Sequence, residues 1–281
     1  MSDFDFISVN TIDEALDVLA RPQKVTVLSG GTDVMLRIHD GRLEPSLLLD
    51  VSRIEELKGI KEKDGFIEIG AATTINEIGA SELIKDNAYA LYEAADVFAD
   101  PNTRNRATIG GNITNASPGA DGAPALFALD GEVLIKKKGG ERRIPVTDYI
   151  IGSYKTVLEP DELVASIRFK PCKNSAFIKI GLRKAMAISV ETVAVALFLD
   201  ENKIITDCRV AFGALGPSTL RARNTEKVFV GYTPNEETFA KAQEVIAMDI
   251  KPRDGLRGSR EYRFSTAHVI MERALIKAYE K

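Results

Sequence analysis

The sequence predicts an α+β protein built from two domains, and three observations predict it. The chain has 281 residues, a length that supports about two compact domains, each with its own core. Short helical and strand patterns alternate up to about residue 170. From Leu163 onward, successive apolar strands give way to helices, a change of pattern that sets a domain boundary near Pro171. The expected domains are therefore residues 1–170, divided into subdomains of about 1–57 and 58–170, and residues 171–281.

The elements follow in order. After a short extended piece, Thr11 and Glu14 have the spacing of a capping box, which opens a helix with Ile12, Ala15, Leu16 and Leu19 on one side. Lys24 to Leu28 alternates apolar and polar residues before Ser29-Gly30-Gly31, and residues 46–51 (SLLLDV) read as a buried strand. Ile60 to Lys63 and Phe66 to Ile69 flank Asp64-Gly65, a dipeptide that accepts the positive φ angles of a two-residue hairpin. Thr74 and Glu77 form a second capping box. Leu91, Ala94, Ala95 and Phe98 then recur at helical spacing within residues 87–98, and the polar run 99–107, containing Pro101, reads as a loop.

Glu132 to Lys138 and Glu141 to Ile144 surround Gly139-Gly140. The basic residues of that hairpin fit the protection of an edge strand better than the binding of a polyanion. Strands are then expected over 163–169, 175–182, 193–199 and 204–212. A helix capped within Thr233 to Glu236 follows, and a closing helix runs between Ser259 and Lys281.

Composition narrows the function. Lys and Arg number 37 against 41 Asp and Glu, for a net charge of −4, so a nucleic-acid or anionic-membrane partner is disfavoured. Cys172, Cys208, His39 and His268 are too few and too scattered for a zinc site or an iron–sulfur cluster held by this chain alone. Any redox chemistry must then come from an organic cofactor. The acidic start has no positively charged segment of the secretory kind, and no stretch reaches the ~18 or more apolar residues of a membrane span. The cytoplasm is the expected compartment.

Two segments carry the candidate chemistry. Residues 27–33 (VLSGGTD) and 107–114 (ATIGGNIT) each place a Gly-Gly pair after apolar residues and follow it with short polar side chains. Gly30, Gly31, Gly110 and Gly111 can adopt backbone conformations closed to other residues and let amide N–H groups converge on an anion such as a diphosphate. Taken singly, each pair reads more readily as a tight turn or bulge, and it is the recurrence of the design that points to an anion site. Neither matches GxGxxG or GxxxxGK[ST], and residues 33–39 do not form a convincing phosphate-capping helix, so a Rossmann fold is not expected. Asn115, Ser117 and Asp121 can serve sugar hydroxyls or equally make N-caps and Asx turns, before a helix expected over Ala125 to Leu129.

SGGTD at 29–33 and TIGGNITNASPGAD at 108–121 resemble the two signature loops of the FAD-binding medium subunit of the molybdenum hydroxylases, the xanthine and carbon monoxide dehydrogenase flavoprotein family. The resemblance continues at Arg104-Asn105-Arg106, at LVASIRF (163–169), at FIKIGLR (177–183), and at Tyr262-Arg263 and Arg273-Ala274-Leu275. It implies a FAD-binding domain of the vanillyl-alcohol-oxidase type, made of two α/β subdomains, followed by a C-terminal α+β domain. By the resemblance, the amides of Ser29, Gly30, Gly31, Thr32 and Asp33 and those around Gly110 and Gly111 would hold the FAD diphosphate. Thr108, Asn112, Asn115, Ser117 and Asp121 would serve the diphosphate, ribityl and nearby polar atoms. Phe98 falls at an aromatic position beside the cofactor, Val164 at a backbone contact, and Lys179 where a basic residue reaches the ring system.

A cation at Lys179 would favour the anionic reduced flavin; the competing reading is an exposed strand lysine. Phe98 fits core packing equally well. Arg183 and Lys184 fit either attraction of a nicotinamide dinucleotide's phosphates or ordinary surface charge. The run 99–103 departs from the family pattern before Arg-Asn, and nothing marks covalent flavin attachment or a cysteine-rich insertion for a further cluster.

The function implied is electron transfer: FAD would take electrons from the [2Fe–2S] clusters of a small partner subunit, fed by a molybdopterin-binding large subunit, and pass them to NAD or another acceptor. The alternatives are a stand-alone FAD-dependent reductase or dehydrogenase of the same fold, and a non-enzymatic binding or assembly module in which both Gly-Gly pairs are only turns.

Overall fold

The computed structural model describes residues 4–183 and 186–281. Near the N-terminus, three parallel strands lie in the order Asp5–Ser8, Leu47–Asp50, Val25–Leu28, with the buried leucines at the centre. Thr11 caps the helix Ile12–Leu19 by accepting from the Glu14 N–H at 3.2 Å, while the Glu14 carboxylate reaches back to the Asn10 N–H at 2.8 Å, one residue before the reciprocal partner a capping box requires. At Thr74 both arms of the box are present. Val34–His39, not expected as a helix, forms one of six residues.

A second sheet has five strands in the order Ile60–Lys63, Phe66–Gly70, Leu163–Phe169, Glu132–Lys137, Gly140–Pro145, all neighbouring pairs antiparallel. Asp64 and Gly65 take φ of 53° and 75°, as a two-residue turn of mirror-image type demands. The strand Leu163–Phe169, grouped by its apolar pattern with the later strands, sits instead at the centre of this sheet. Apolar composition reports burial and says nothing about which sheet does the burying. Gly140–Pro145 is an edge strand, and its basic residues pair with carboxylates, Arg142 with Glu162 and Arg143 with Glu68.

The third sheet joins Ser175–Gly181, Ser189–Leu199, Ile205–Gly213 and Leu220–Arg221. Its long strand is buried on both faces, and side-chain size decides what covers each. Val193, Val195 and Leu197 pack with Ile270, Met271 and Ala274 of the closing helix Arg260–Tyr279, whereas Ala194 and Ala196 join the core that contains Ala125 and Leu126 of the helix Gly122–Ala128. Alternation along a strand sends these two sets to opposite sides, and the small set lets the helix come close.

Some boundaries differ from expectation. Within 99–107, Pro101–Arg104 forms one helical turn because Asp100 Oδ1 caps the N–H groups of Asn102 and Thr103. The helix expected to start near Thr233 begins at Glu236, capped by Asn235 in a full box with Thr238. The helix expected over Ala125 to Leu129 starts earlier, at Gly122.

Candidate functional site

The two Gly-Gly segments meet. An ideal Cβ on Gly30 would lie 1.9 Å from the carbonyl oxygen of Arg106, so the first loop runs directly over the backbone that leads into the second. Across 82 residues of sequence, Asn115 Nδ2 donates to Asp33 Oδ2 at 2.8 Å and ties the loops together. Between them opens a cleft of about 400 Å³, a size typical of small-molecule and cofactor sites. Ser29, Gly30, Gly31, Thr32 and Asp33 line one side, and Thr108, Gly110, Gly111, Asn112 and Asn115 line the other, with Phe98 and Val164 completing the wall.

The first loop is rich in unused donors. Among the described residues, no protein acceptor takes the N–H of Ser29, Gly30, Gly31, Thr32 or Asp33. Gly31, at φ +74°, turns the chain where only glycine is free of strain. Successive unengaged amides around such a residue make an anion-binding hollow.

The second loop is different. It enters the helix Ile109–Asn115, so its glycines are helical, and of the four glycines only Gly31 takes positive φ, contrary to the expectation for all four. Gly110 donates to the Ala71 carbonyl at 2.9 Å and Gly111 to Thr108 Oγ1 at 3.2 Å, so neither amide is free for an anion. Gly110 is needed for packing, since a Cβ there would come within 2.7 Å of Ala71.

Ser117, Asp121 and Lys179 do not line the cleft. The helix stops at Asn115, Ala116 takes the left-handed conformation at φ 47°, and the chain then turns away toward the C-terminal sheet. Asp121 Oδ2 accepts from Lys179 Nζ at 2.6 Å, and its Oδ1 accepts from Ser189 Oγ at 2.7 Å. The Lys179 and Asp121 side chains are only 8% and 7% exposed, so Lys179 is neither a surface lysine nor an unneutralised cation. Burial pushes the Asp121 carboxyl up, and the Lys179 charge and the hydrogen bonds from Lys179 and Ser189 pull it back. Phe98 satisfies both of its readings, lining the cleft while packing against the main core. Arg183 is exposed and donates to the Met186 carbonyl, and Lys184 lies outside the described residues.

Several lining residues were not expected at the cofactor site from the sequence. Val25, Thr26 and Val27 come from the first parallel sheet, Thr114 donates to or accepts from Tyr149 at 2.9 Å, and Leu158 to Pro160 and Glu162 close the far side. Arg142 holds Glu162 in a two-pronged pair at 2.8 and 2.7 Å, which draws that carboxyl below its ordinary range. Arg37 also lines the cleft, four residues beyond Asp33. A helical reading of residues 34–39 would have placed it there.

The donor set suits a diphosphate-bearing cofactor. Residues with free amides line the space, and among the described residues two buried polar atoms, Ser29 Oγ and Asn112 Oδ1, have no hydrogen-bond partner, a state that costs free energy until a ligand or water satisfies it. Among the described residues, no group of three His, Cys, Asp or Glu is placed to hold a metal ion, and no helix is long and apolar enough to cross a membrane.

Fold and cleft together define a two-part cofactor-binding protein, and comparison with known proteins places it in a family. Residues 2–170 match the family described as FAD binding domain in molybdopterin dehydrogenase, and residues 176–278 match the CO dehydrogenase flavoprotein C-terminal domain. The chain is 31% identical over 283 residues to the xanthine dehydrogenase FAD-binding subunit of Escherichia coli O157:H7, covering 98% of this chain and 97% of that one. It is 31% identical to the nicotinate dehydrogenase FAD-subunit of Eubacterium barkeri over 88% of this chain and 86% of that one. The structure of carbon monoxide dehydrogenase from Hydrogenophaga pseudoflava superposes with a TM-score of 0.93 at 27% identity, covering 99% of this chain and 98% of that one. This chain belongs to the family of FAD-binding medium subunits of the molybdopterin hydroxylases, and it is an oxidoreductase subunit.

Proposed function

We propose that the chain binds FAD non-covalently in the cleft between the two Gly-Gly loops. In that role it relays electrons from the [2Fe–2S] clusters of a small partner subunit, supplied by a molybdopterin-binding large subunit, to NAD or another acceptor. The observation that carries this reading is the run of five unengaged amides, Ser29 to Asp33, facing a cleft walled by the second loop. These amides would hold the diphosphate. Ser29 Oγ and Asn112 Oδ1 would find their missing partners on the cofactor, and Thr108, Gly110, Gly111, Asn115, Phe98 and Val164 would shape its seat. The flavin, when bound, supplies the redox chemistry, and the chain supplies orientation and exclusion of water.

We assign the cofactor-binding unit to residues 1–170 and the second domain to 171–281. The five-stranded sheet takes its last strand at Phe169, and the next sheet begins at Ser175, which supports this division. Work in the cytoplasm accords with two buried, unpaired cysteines.

The test is native purification with metal, cofactor and chain analysis. Stoichiometric FAD on this chain, co-eluting with chains that carry molybdenum and iron, is the expected result. Steady-state turnover of a small organic substrate by the isolated chain would favour a self-sufficient flavoenzyme instead, and no FAD uptake on reconstitution would reduce the loops to turns.

A further inference from the structure

The second half of the second loop faces the C-terminal domain, and its attachments there are specific. Ala214 N donates to the Pro118 carbonyl at 2.8 Å. Ser189 Oγ and Lys179 Nζ, from two neighbouring strands of the C-terminal sheet, take the two oxygens of Asp121 at 2.7 and 2.6 Å. Lys179 Nζ also donates to the Val97 carbonyl at 3.3 Å, one residue before Phe98. Ser189 is 1% exposed and Asp121 5%, so this cluster works in a low-dielectric interior where charge-assisted hydrogen bonds are strong.

Two of the segments that line the cleft, the one ending in Phe98 and the one running from Thr108 to Asn115 and on to Asp121, are thus fastened to the C-terminal sheet through one cluster, buried at Asp121, Lys179 and Ser189 and open to solvent at Val97. We propose that Ser189 is a positioning residue: by holding Asp121 against Lys179 it fixes both segments in the geometry that grips FAD. The inference rests on the FAD reading above.

Ser189 is the informative position, because removing Lys179 or Asp121 alone strands the other as an uncompensated buried charge. Ser189→Ala removes one hydroxyl and leaves the ion pair. In the purified full-length chain, FAD affinity measured by flavin fluorescence well below the melting temperature should fall about tenfold, and Ser189→Thr should recover it to within about twofold. Hydrogen exchange over residues 108–121 should accelerate in Ser189→Ala alone. The double variant Lys179→Met with Asp121→Asn removes both charges together, and it should fold yet bind FAD at least as weakly as Ser189→Ala. A purely structural role would lower the melting temperature and leave the FAD dissociation constant unmoved, and that outcome overturns the proposal. If the wild-type chain takes up no FAD, the cofactor reading falls and the inference with it; if wild type and Ser189→Ala bind FAD equally, only the role of Ser189 falls.

Discussion

At Gly30 a Cβ would strike the Arg106 carbonyl oxygen at 1.9 Å, while at Gly110 it would meet Ala71 at 2.7 Å, and the backbone around the two residues differs just as much. The first loop keeps its amides unspent from Ser29 to Asp33 and turns through positive φ at Gly31. The second winds into a helix that has already spent the amides of Gly110 and Gly111, and it contributes closeness and side chains such as Thr108 and Asn112. The same dipeptide therefore serves two needs. Glycine lets two backbones touch in both loops, at Gly30 and at Gly110, and only in the first does a second glycine, Gly31, also turn the chain through positive φ.

The comparison can be broken most forcefully at Gly30. Gly30→Ala must push the loops apart, because the obstacle is a backbone carbonyl that cannot rotate aside, and the expected result is loss of bound FAD with a destabilisation of about 3 kcal/mol or more. Absorbance at flavin wavelengths and urea unfolding check both, and a variant that retains FAD would show that the contact between the loops is dispensable.

Next in size is a change that should leave both loops alone. Glu191 is fully buried beneath the closing helix, and burial pushes its carboxyl up to about 7, opposed in part by the Thr266 hydroxyl and by Arg263. The folded state then holds its proton more tightly than the unfolded chain does. Stability is greatest below the unfolded value near 4.5 and declines as pH rises toward about 7, by up to about 3 kcal/mol. Glu191→Gln should flatten that decline in urea titrations at pH 5 and pH 8 while FAD affinity stays constant. A parallel change in affinity would mean that the far side of the sheet is coupled to the cleft.

Gly110→Ala sharpens the contrast from the other side. Its cost should be about 1–3 kcal/mol of stability from overpacking against Ala71, with the lost FAD affinity following from the displaced helix and not from a lost donor. Reduced stability with unchanged affinity would instead mean that this approach serves only the core. The smallest expected effect is at Asn115. Asn115→Leu removes the bond to Asp33 and should weaken FAD binding by about 0.5–1.5 kcal/mol, read by fluorescence titration, with little change in melting temperature because the pair is exposed.

Much of this molecule was legible residue by residue. The hairpin at Asp64-Gly65, the cap at Thr74, the edge hairpin around Gly139 and the closing helix after Ser259 each follow from signals contained within about four residues. Asp100 shows the limit of that reading, since the polar run 99–107 reads as a loop and the Asp100 carboxylate within it caps a helical turn. The two Gly-Gly loops were equally visible as a pair, and twelve of the fifteen residues expected to serve the cofactor line one cleft, a count that excludes Ser117, Asp121 and Lys179.

What the sequence by itself determined is the local grammar: most of the strands, caps such as Thr74 and Ser259, and that two glycine-rich loops of a known family are present. Those properties depend on backbone sterics and neighbouring side chains, which a linear chain displays openly. Only the tertiary structure decided that Gly30 lies on Arg106, that Leu163–Phe169 sits in the middle of the first antiparallel sheet, and that Asp121 turns from the cleft to Lys179 and Ser189. Each of those outcomes joins residues about 30 to 100 positions apart or depends on how a turn such as Ala116 redirects the chain. Such contacts are set by the path of the backbone through space, and no spacing along the sequence encodes them.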